Sequence, residues 1–250
     1  LAAFVPTMLF HFPLHLAACA TIFWVALGIA AGPAVSSGAP APRPGWFALA
    51  ILAAAVAAGA FTARDLTAQV LLRGGYDRFR GGAAAAASPY FERFERLASH
   101  DYEERFYAGA LWQALGDHGR AVDGYERALV LYPGMQGAAY NYGNALFARR
   151  NYPEAIRLFG RALEINPCFA DAFSNRGNAY ALLGRRAEAR RDYLRALELK
   201  PGYADAMYNL AVDAWGAGQR GEAARWLRRA LAAEPRHAAA RELLATMELK

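Results

Sequence analysis

The sequence predicts an all-α protein in which apolar membrane helices are followed by a right-handed solenoid of helix-turn-helix units. Three observations lead there. Pro133, Pro167, Pro201 and Pro235 recur at a 34-residue spacing, a period typical of stacked helical pairs. Between them apolar residues fall at three- and four-residue steps, as in Ala155, Ile156, Phe159, Ala162 and Leu163. Residues 1–62, by contrast, contain no acidic residue and a single basic one, Arg43.

Residues 1–62 are expected to be a membrane segment. The apolar run over 1–32 exceeds the roughly 20 residues of one bilayer crossing, and it is interrupted at Phe12 and Pro13, where proline removes a backbone donor. The expected arrangement is the tail of one helix over 1–11, a turn at 12–15, and helices over 16–31 and 46–62. Between the last two lies a Pro-, Ser- and Gly-rich loop over 33–44. Trp46 and Arg64 stand as interfacial anchors of the final span; its many alanines leave a buried soluble helix as the alternative. A secretory signal peptide would need a charged start and a short apolar core, and neither is present. The chain begins inside a hydrophobic stretch and reads as part of a longer protein.

Residues 63–88 read as a juxtamembrane helix, Leu66 to Arg80, and a small-residue linker, Gly81 to Ser88. Pro89 is expected to start a half-repeat over 89–101 that caps the stack, with Phe91, Phe94 and Leu97 facing the first full unit. Four units follow at 102–135, 136–169, 170–203 and 204–237. A capping helix over 238–250 covers the last apolar face.

Within the units, four columns repeat. The eighth position is Gly109, Gly143, Gly177 and Ala211, and the twentieth is Ala121, Ala155, Ala189 and Ala223. The twenty-fourth is Tyr125, Phe159, Tyr193 and Leu227, and the twenty-seventh is Ala128, Ala162, Ala196 and Ala230. Small residues let two backbones approach, and the bulky column plugs the space between them. This pattern of small, aromatic and terminal proline positions closely resembles the tetratricopeptide repeat family. The resemblance implies antiparallel helix pairs stacked into a right-handed superhelix with a concave groove, used for protein–protein interaction.

A second resemblance rests on fewer residues. The stretch from Leu9 through Phe10-His11-Phe12-Pro13-Leu14-His15 to Phe23-Trp24 and Leu27-Gly28 is similar to the final membrane segment of bacterial O-antigen ligase- and polymerase-like proteins, some of which carry a tetratricopeptide tail. It implies a multi-pass protein of the bacterial inner membrane in cell-surface polysaccharide biosynthesis, with membrane lipid and a lipid-linked glycan as partners. That family transfers glycan with His and Arg residues in an external loop upstream of this stretch. His11 stands where acidic residues are common in the family. No catalytic residue carries over, and the residues in hand are not expected to act as an enzyme alone. The alternative is a terminal fragment of such a ligase whose repeats are only structural.

Other chemistry finds little support. The formal charge is +6 and almost all cations are arginines interleaved with acids, which does not suggest nucleic-acid binding. Cys19 and Cys168 lie in different regions. His11 and His15 are four apart, but Pro13 separates them and no third ligand is near, so no metal or cofactor is expected. His100, His118 and His237 occur singly at repeat boundaries and are expected on the surface. No Gly-rich phosphate loop or nucleophile elbow occurs.

The candidate site is a ladder of amides. Asn141, Asn175 and Asn209 hold the sixth position of three successive units, and Asn144 and Asn178 the ninth of two. By the resemblance these positions line the concave groove, where asparagine ladders of some members bind peptide backbone. An amide offers donors and an acceptor without demanding particular side chains. Tyr107, Tyr140, Tyr208 and Trp215 would add aromatic contacts. The alternative is that the amides bridge neighbouring helices and the aromatics are core. The family's clamp for a terminal carboxylate is missing, since the second positions are Glu103, Gly137, Asp171 and Asp205. Internal or basic peptide segments are therefore the expected ligands. Arginines on the outer helices form either a solvated face or a surface for anionic lipid. Orientation follows the family for a periplasmic array, whereas Arg64, Arg73, Arg78 and Arg80 argue the opposite by the positive-inside rule.

Overall fold

The computed structural model describes residues 46–97 and 101–248, with most side chains of residues 46–62 outside that description. The segments expected at 1–11, 12–15 and 16–31, the loop at 33–44, and His11, His15, Cys19 and His100 lie outside the described residues. The chain divides into two compact units, Leu1–Asp77 and Arg78–Lys250.

The first unit contains most of helix α1, Trp46–Arg80. The span expected over 46–62 and the helix expected from Leu66 are one continuous element. Nothing from Thr62 to Leu66 breaks a helix, and Thr67 Oγ1 donates to the Ala63 carbonyl at 2.8 Å. Among the described residues no helix is long and apolar enough to cross a membrane. The apolar stretches behind that expectation lie outside them or, over 46–62, are described largely as backbone.

Helix α1 ends at Gly82, whose φ of 82° only glycine adopts freely. Ala83 N–H then donates to the Arg78 carbonyl at 3.0 Å, closing the helix in the manner of a Schellman turn. Helix α2, Ala84–Leu97, begins before Pro89, so the linker expected to reach Ser88 shrinks to a short turn. The alanine run favours helix strongly enough to start it early, leaving Pro89 inside without a donor for the Ala85 carbonyl. Phe91 meets Trp112 edge-on at 6.4 Å, and Trp112 Nε1–H donates to Glu95 at 3.1 Å. Those contacts seat α2 against the first helical repeat, residues 102–135.

Four antiparallel pairs follow: α3 Tyr102–Ala114 with α4 His118–Leu131, α5 Gln136–Ala148 with α6 Tyr152–Ile165, α7 Ala170–Leu182 with α8 Arg186–Leu199, and α9 Ala204–Gly216 with α10 Arg220–Ala233. Helix α11, Ala238–Glu248, packs on α10. The turn within each pair uses one left-handed residue: Gly116, Gly184, Gly218 and, in the second unit, Arg150 at φ 60°. The second helix of each pair stops because the residue before proline is driven extended. Tyr132, Asn166, Lys200 and Glu234 all sit near φ −135°.

The column pattern is a packing rule made visible. Every alanine of the twentieth and twenty-seventh positions is buried. A Cβ on Gly143 would lie 2.6 Å from the Phe159 ring, one on Gly177 2.7 Å from Tyr193, and one on Gly109 2.9 Å from Tyr125. In the fourth unit the plug is the smaller Leu227, and there the eighth position is Ala211. Arg176 and Asp192 replace an apolar contact between α7 and α8 with a two-pronged ion pair at 2.7 and 2.9 Å. Asp192 is buried, and the pair holds the Arg176 guanidinium more firmly protonated than usual.

Candidate functional site

The first helices of the units carry the asparagine ladder, and most of its amides reach sideways. Asn175 Nδ2 donates to Asn144 Oδ1 at 2.8 Å and to the Tyr140 hydroxyl at 3.0 Å. One unit further on, Asn209 Nδ2 donates to Asn178 Oδ1 at 2.8 Å. The same oxygen accepts the Tyr193 hydroxyl at 2.8 Å. The rule is that the ninth position of one unit accepts from the sixth of the next. Asn141 breaks it because the ninth position of the first unit is Ala110, which has no amide.

Each such pair keeps valences for a ligand. Asn178 retains Nδ2 hydrogens, and Asn175 and Asn209 retain Oδ1; Asn144 gives one of its two Nδ2 hydrogens to the Tyr140 hydroxyl. None of these atoms is a buried orphan; among the described side chains that condition is met by His118 Nδ1. A linked pair thus presents a donor and an acceptor together, the complement of a peptide unit.

The Asn178–Asn209 pair lies in an open groove of about 490 Å³, lined also by Phe147, Leu182, Val212 and Asp213. Leu182 and Val212 are exposed in spite of their size. Tyr193 underlies the amides, and burial pushes its hydroxyl well above the ordinary tyrosine range, with Asp213 and Asp192 adding to the shift. It therefore stays a donor. Tyr140 is raised by burial too, although its amide partners oppose the shift.

Arg186, the cation among the described groove residues, is spoken for. It pairs with Asp213 Oδ1 at 2.7 Å. Asp171 and Asp205 lie in the first turns of α7 and α9, where the helix dipole favours a negative charge. Asp205 is also 3.1 Å from His237 Nε2.

The aromatic residues divide. Tyr140 packs against Phe159 and Phe169 at 6.0 and 4.7 Å, and Tyr107 meets Phe106 at 5.6 Å. Tyr208 stacks on His237 at 5.2 Å and packs on the apolar core of the last units. Trp215 lies 5.5 Å beneath the Arg220 guanidinium. All four serve the fold at least in part, and none lines the 490 Å³ groove.

His237 is not the surface residue expected. Its side chain is only 10% exposed. Nδ1 accepts the Ala240 N–H at 3.1 Å and so caps α11. His118 is likewise partly buried, at the start of α4. Histidine is an unusual cap, so the residue type alone carried no signal for this role.

The geometry defines a helical-repeat solenoid whose first helices carry linked asparagine amides, one pair lying in an open, largely apolar groove. Residues 143–184 match the TPR repeat model, and residues 170–203 and 208–250 match tetratricopeptide repeat models. Residues 143–203 and 208–250 thus carry tetratricopeptide repeats.

Solved structures agree in fold. MamA from Desulfovibrio magneticus RS-1 is 22% identical, with 69% of this chain and 97% of that one covered at a TM-score of 0.61. YrrB, described as a TPR protein with an unusual peptide-binding site, is 23% identical, with 69% and 89% covered at 0.57. A thermophilic TPR protein of Thermus thermophilus is 24% identical, with 73% and 100% covered at 0.57. At these identities the likeness is one of fold. No curated protein matches the chain in sequence.

Proposed function

We propose that the array is a protein-interaction module whose concave face takes an extended segment of a partner, with Asn178 and Asn209 at the centre of the site. The observation that carries this reading is the linked amide pair in the groove. Its free donor and acceptor suit peptide backbone, and exposed Leu182 and Val212 flank it. The peptide-binding site named for YrrB lends support by analogy of fold. Acids in the first turns of α7 and α9, and the lack of a free cation among the described groove residues, favour internal or basic segments over an acidic C-terminus.

At whole-protein level we propose that residues 1–62 anchor the array to the bacterial inner membrane, with the repeats in the periplasm. The array would then be the terminal part of an O-antigen ligase-like protein of polysaccharide assembly. The uncharged apolar run and the Phe-Pro-Leu-His turn support this. A second reading, in which the repeats are purely structural, draws on the fact that the ladder amides partly satisfy one another.

Selection of random linear peptides on the intact chain tests the groove. Peptides retained by the wild type should be lost by Asn178→Ala with Asn209→Ala at unchanged helix content. Selected peptides indifferent to these substitutions, or preferential capture of acidic C-termini, would sink the groove reading. The membrane reading is checked by whether the chain floats with neutral phospholipid vesicles.

A further inference from the structure

The outer helices of the last two units carry more positive charge than their acids can neutralise. Helix α8 holds Arg186, Arg190, Arg191 and Arg195, and α10 holds Arg220, Arg225, Arg228 and Arg229. The acids on these helices are Glu188, Asp192, Glu198 and Glu222, and each is already engaged. Glu188 binds Arg185 at 2.8 Å, Asp192 binds Arg176 at 2.7 Å, Glu198 binds Arg195 at 2.6 Å and Glu222 binds Arg190 at 2.5 Å.

Arg191, Arg225, Arg228 and Arg229 therefore make no direct ion pair among the described residues, although Arg191 and Arg225 lie near enough to Glu188 and Glu222 to favour their ionised forms, and all four are exposed. They share a face. Arg191 and Arg225 hold the same position in successive units, and Arg225, Arg228 and Arg229 follow at helical three- and four-residue steps. Apolar surface is interleaved with them: Leu194 is 37% exposed, and Trp226 lies beneath the Arg229 guanidinium at 4.5 Å.

We infer that this outer face of α8 and α10 docks on an anionic phospholipid surface. Arginine with tryptophan and leucine is the composition that settles at a charged bilayer interface, where the guanidinium meets phosphate and the ring enters the headgroup layer. A partner with few charges would leave the four cations unmatched. The nearness of a bilayer is taken from the proposed function, whereas the surplus charge stands without it. The concave groove is left free for its own ligand.

The test uses the whole chain with Cys19→Ser, Cys168→Ser and Leu194→Cys, an environment-sensitive dye on the new thiol, and vesicles of phosphatidylcholine alone or mixed two to one with phosphatidylglycerol. Contact should shift the dye emission on the mixed vesicles only and vanish at high salt, as the Debye length falls from about 10 Å at 0.1 M to about 3 Å at 1 M. Each of Arg191→Gln, Arg225→Gln, Arg228→Gln and Arg229→Gln should weaken the response roughly fivefold. These are exposed sites, and unchanged helix content confirms the fold.

Equal emission on both vesicle types, or a response that survives the fourfold glutamine variant, overturns the inference. Flotation separates it from the anchor. A chain that floats on neutral vesicles without the anionic shift keeps the anchor and loses the patch. One that floats and shifts only on anionic vesicles, in an arginine-dependent way, keeps the patch and loses the anchor.

Discussion

Gly143→Ala isolates the packing rule of the array. A Cβ at residue 143 would stand 2.6 and 2.7 Å from Cε1 and Cδ1 of Phe159, against an ordinary contact of 3.4 to 4 Å. Phe159 is fully buried, so the ring cannot swing away. Helices α5 and α6 must part by several tenths of an ångström, and overpacking of this kind costs about 1 to 3 kcal/mol. Removing glycine from a helix interior returns about 1 kcal/mol, for a net loss of up to about 2 kcal/mol. Phe159→Leu added to Gly143→Ala recreates the Ala211–Leu227 pair of the fourth unit and should recover much of that loss relative to the sum of the singles. Gly160→Ala is the control, since its nearest neighbour is the end of Arg176 at 3.8 Å, and it should stabilise. The assay is denaturant unfolding followed by far-ultraviolet circular dichroism. It should be fitted with nearest-neighbour coupling, because repeat arrays depart from two-state behaviour. A stabilised Gly143→Ala, or strict additivity with Phe159→Leu, would refute the reasoning.

Other outcomes follow from the same contacts. Arg150 occupies a left-handed turn position that is glycine in the other units, so Arg150→Gly should raise stability by up to about 1 kcal/mol, read as a higher melting temperature. Asp192→Ala leaves Arg176 partly buried and unpaired and should cost up to about 3 kcal/mol, whereas Arg176→Leu with Asp192→Leu should recover most of it in the same melts. Asp117 caps α4, and its hydrogen bonds from the Arg120 backbone and side chain hold its carboxyl below the ordinary 3.8. Bonds from Arg157, Arg185 and Arg190 similarly hold Glu154, Glu188 and Glu222 below 4.5. A lowered folded-state value stabilises above the unfolded pKa and is lost as pH falls through the folded one. The melting temperature should therefore drop with acidification below about pH 4.5, and less steeply in Asp117→Ala, itself weaker by about 1 kcal/mol at neutral pH.

The array is largely legible in the one-dimensional pattern because its packing repeats every 34 residues. Glycine opposite an aromatic plug, and alanine at both seam positions, are required by helix approach wherever the unit recurs. Local chemistry was less legible at the ends. The alanine run at 84–87 outweighs the proline that was expected to begin α2, and α1 runs on through Thr62–Leu66 because nothing there stops it. The left-handed column of Gly116, Gly184 and Gly218 was also present in the sequence, and its shared spacing would have located the turns.

Period and composition determined the helices, their pairing and the positions that face the core, since these depend on neighbours a fixed number of residues away. The fate of the ladder amides, and of Arg176 and Arg190, was a tertiary matter. The ladder residues were visible as a column, but whether an amide meets a neighbour or a ligand depends on a group about 31 residues distant. Asn175 finds Asn144, while Asn141 finds only Ala110. The outer arginines looked evenly matched by acids along the chain; in space those acids are taken by Arg185, Arg176, Arg195 and Arg190, and the surplus collects on α8 and α10. Arg185–Glu188 and Arg195–Glu198 are local three-residue pairs, but Arg176–Asp192 and Arg190–Glu222 join different helices, and because such bonds are short-ranged and saturable the fold decides those partners.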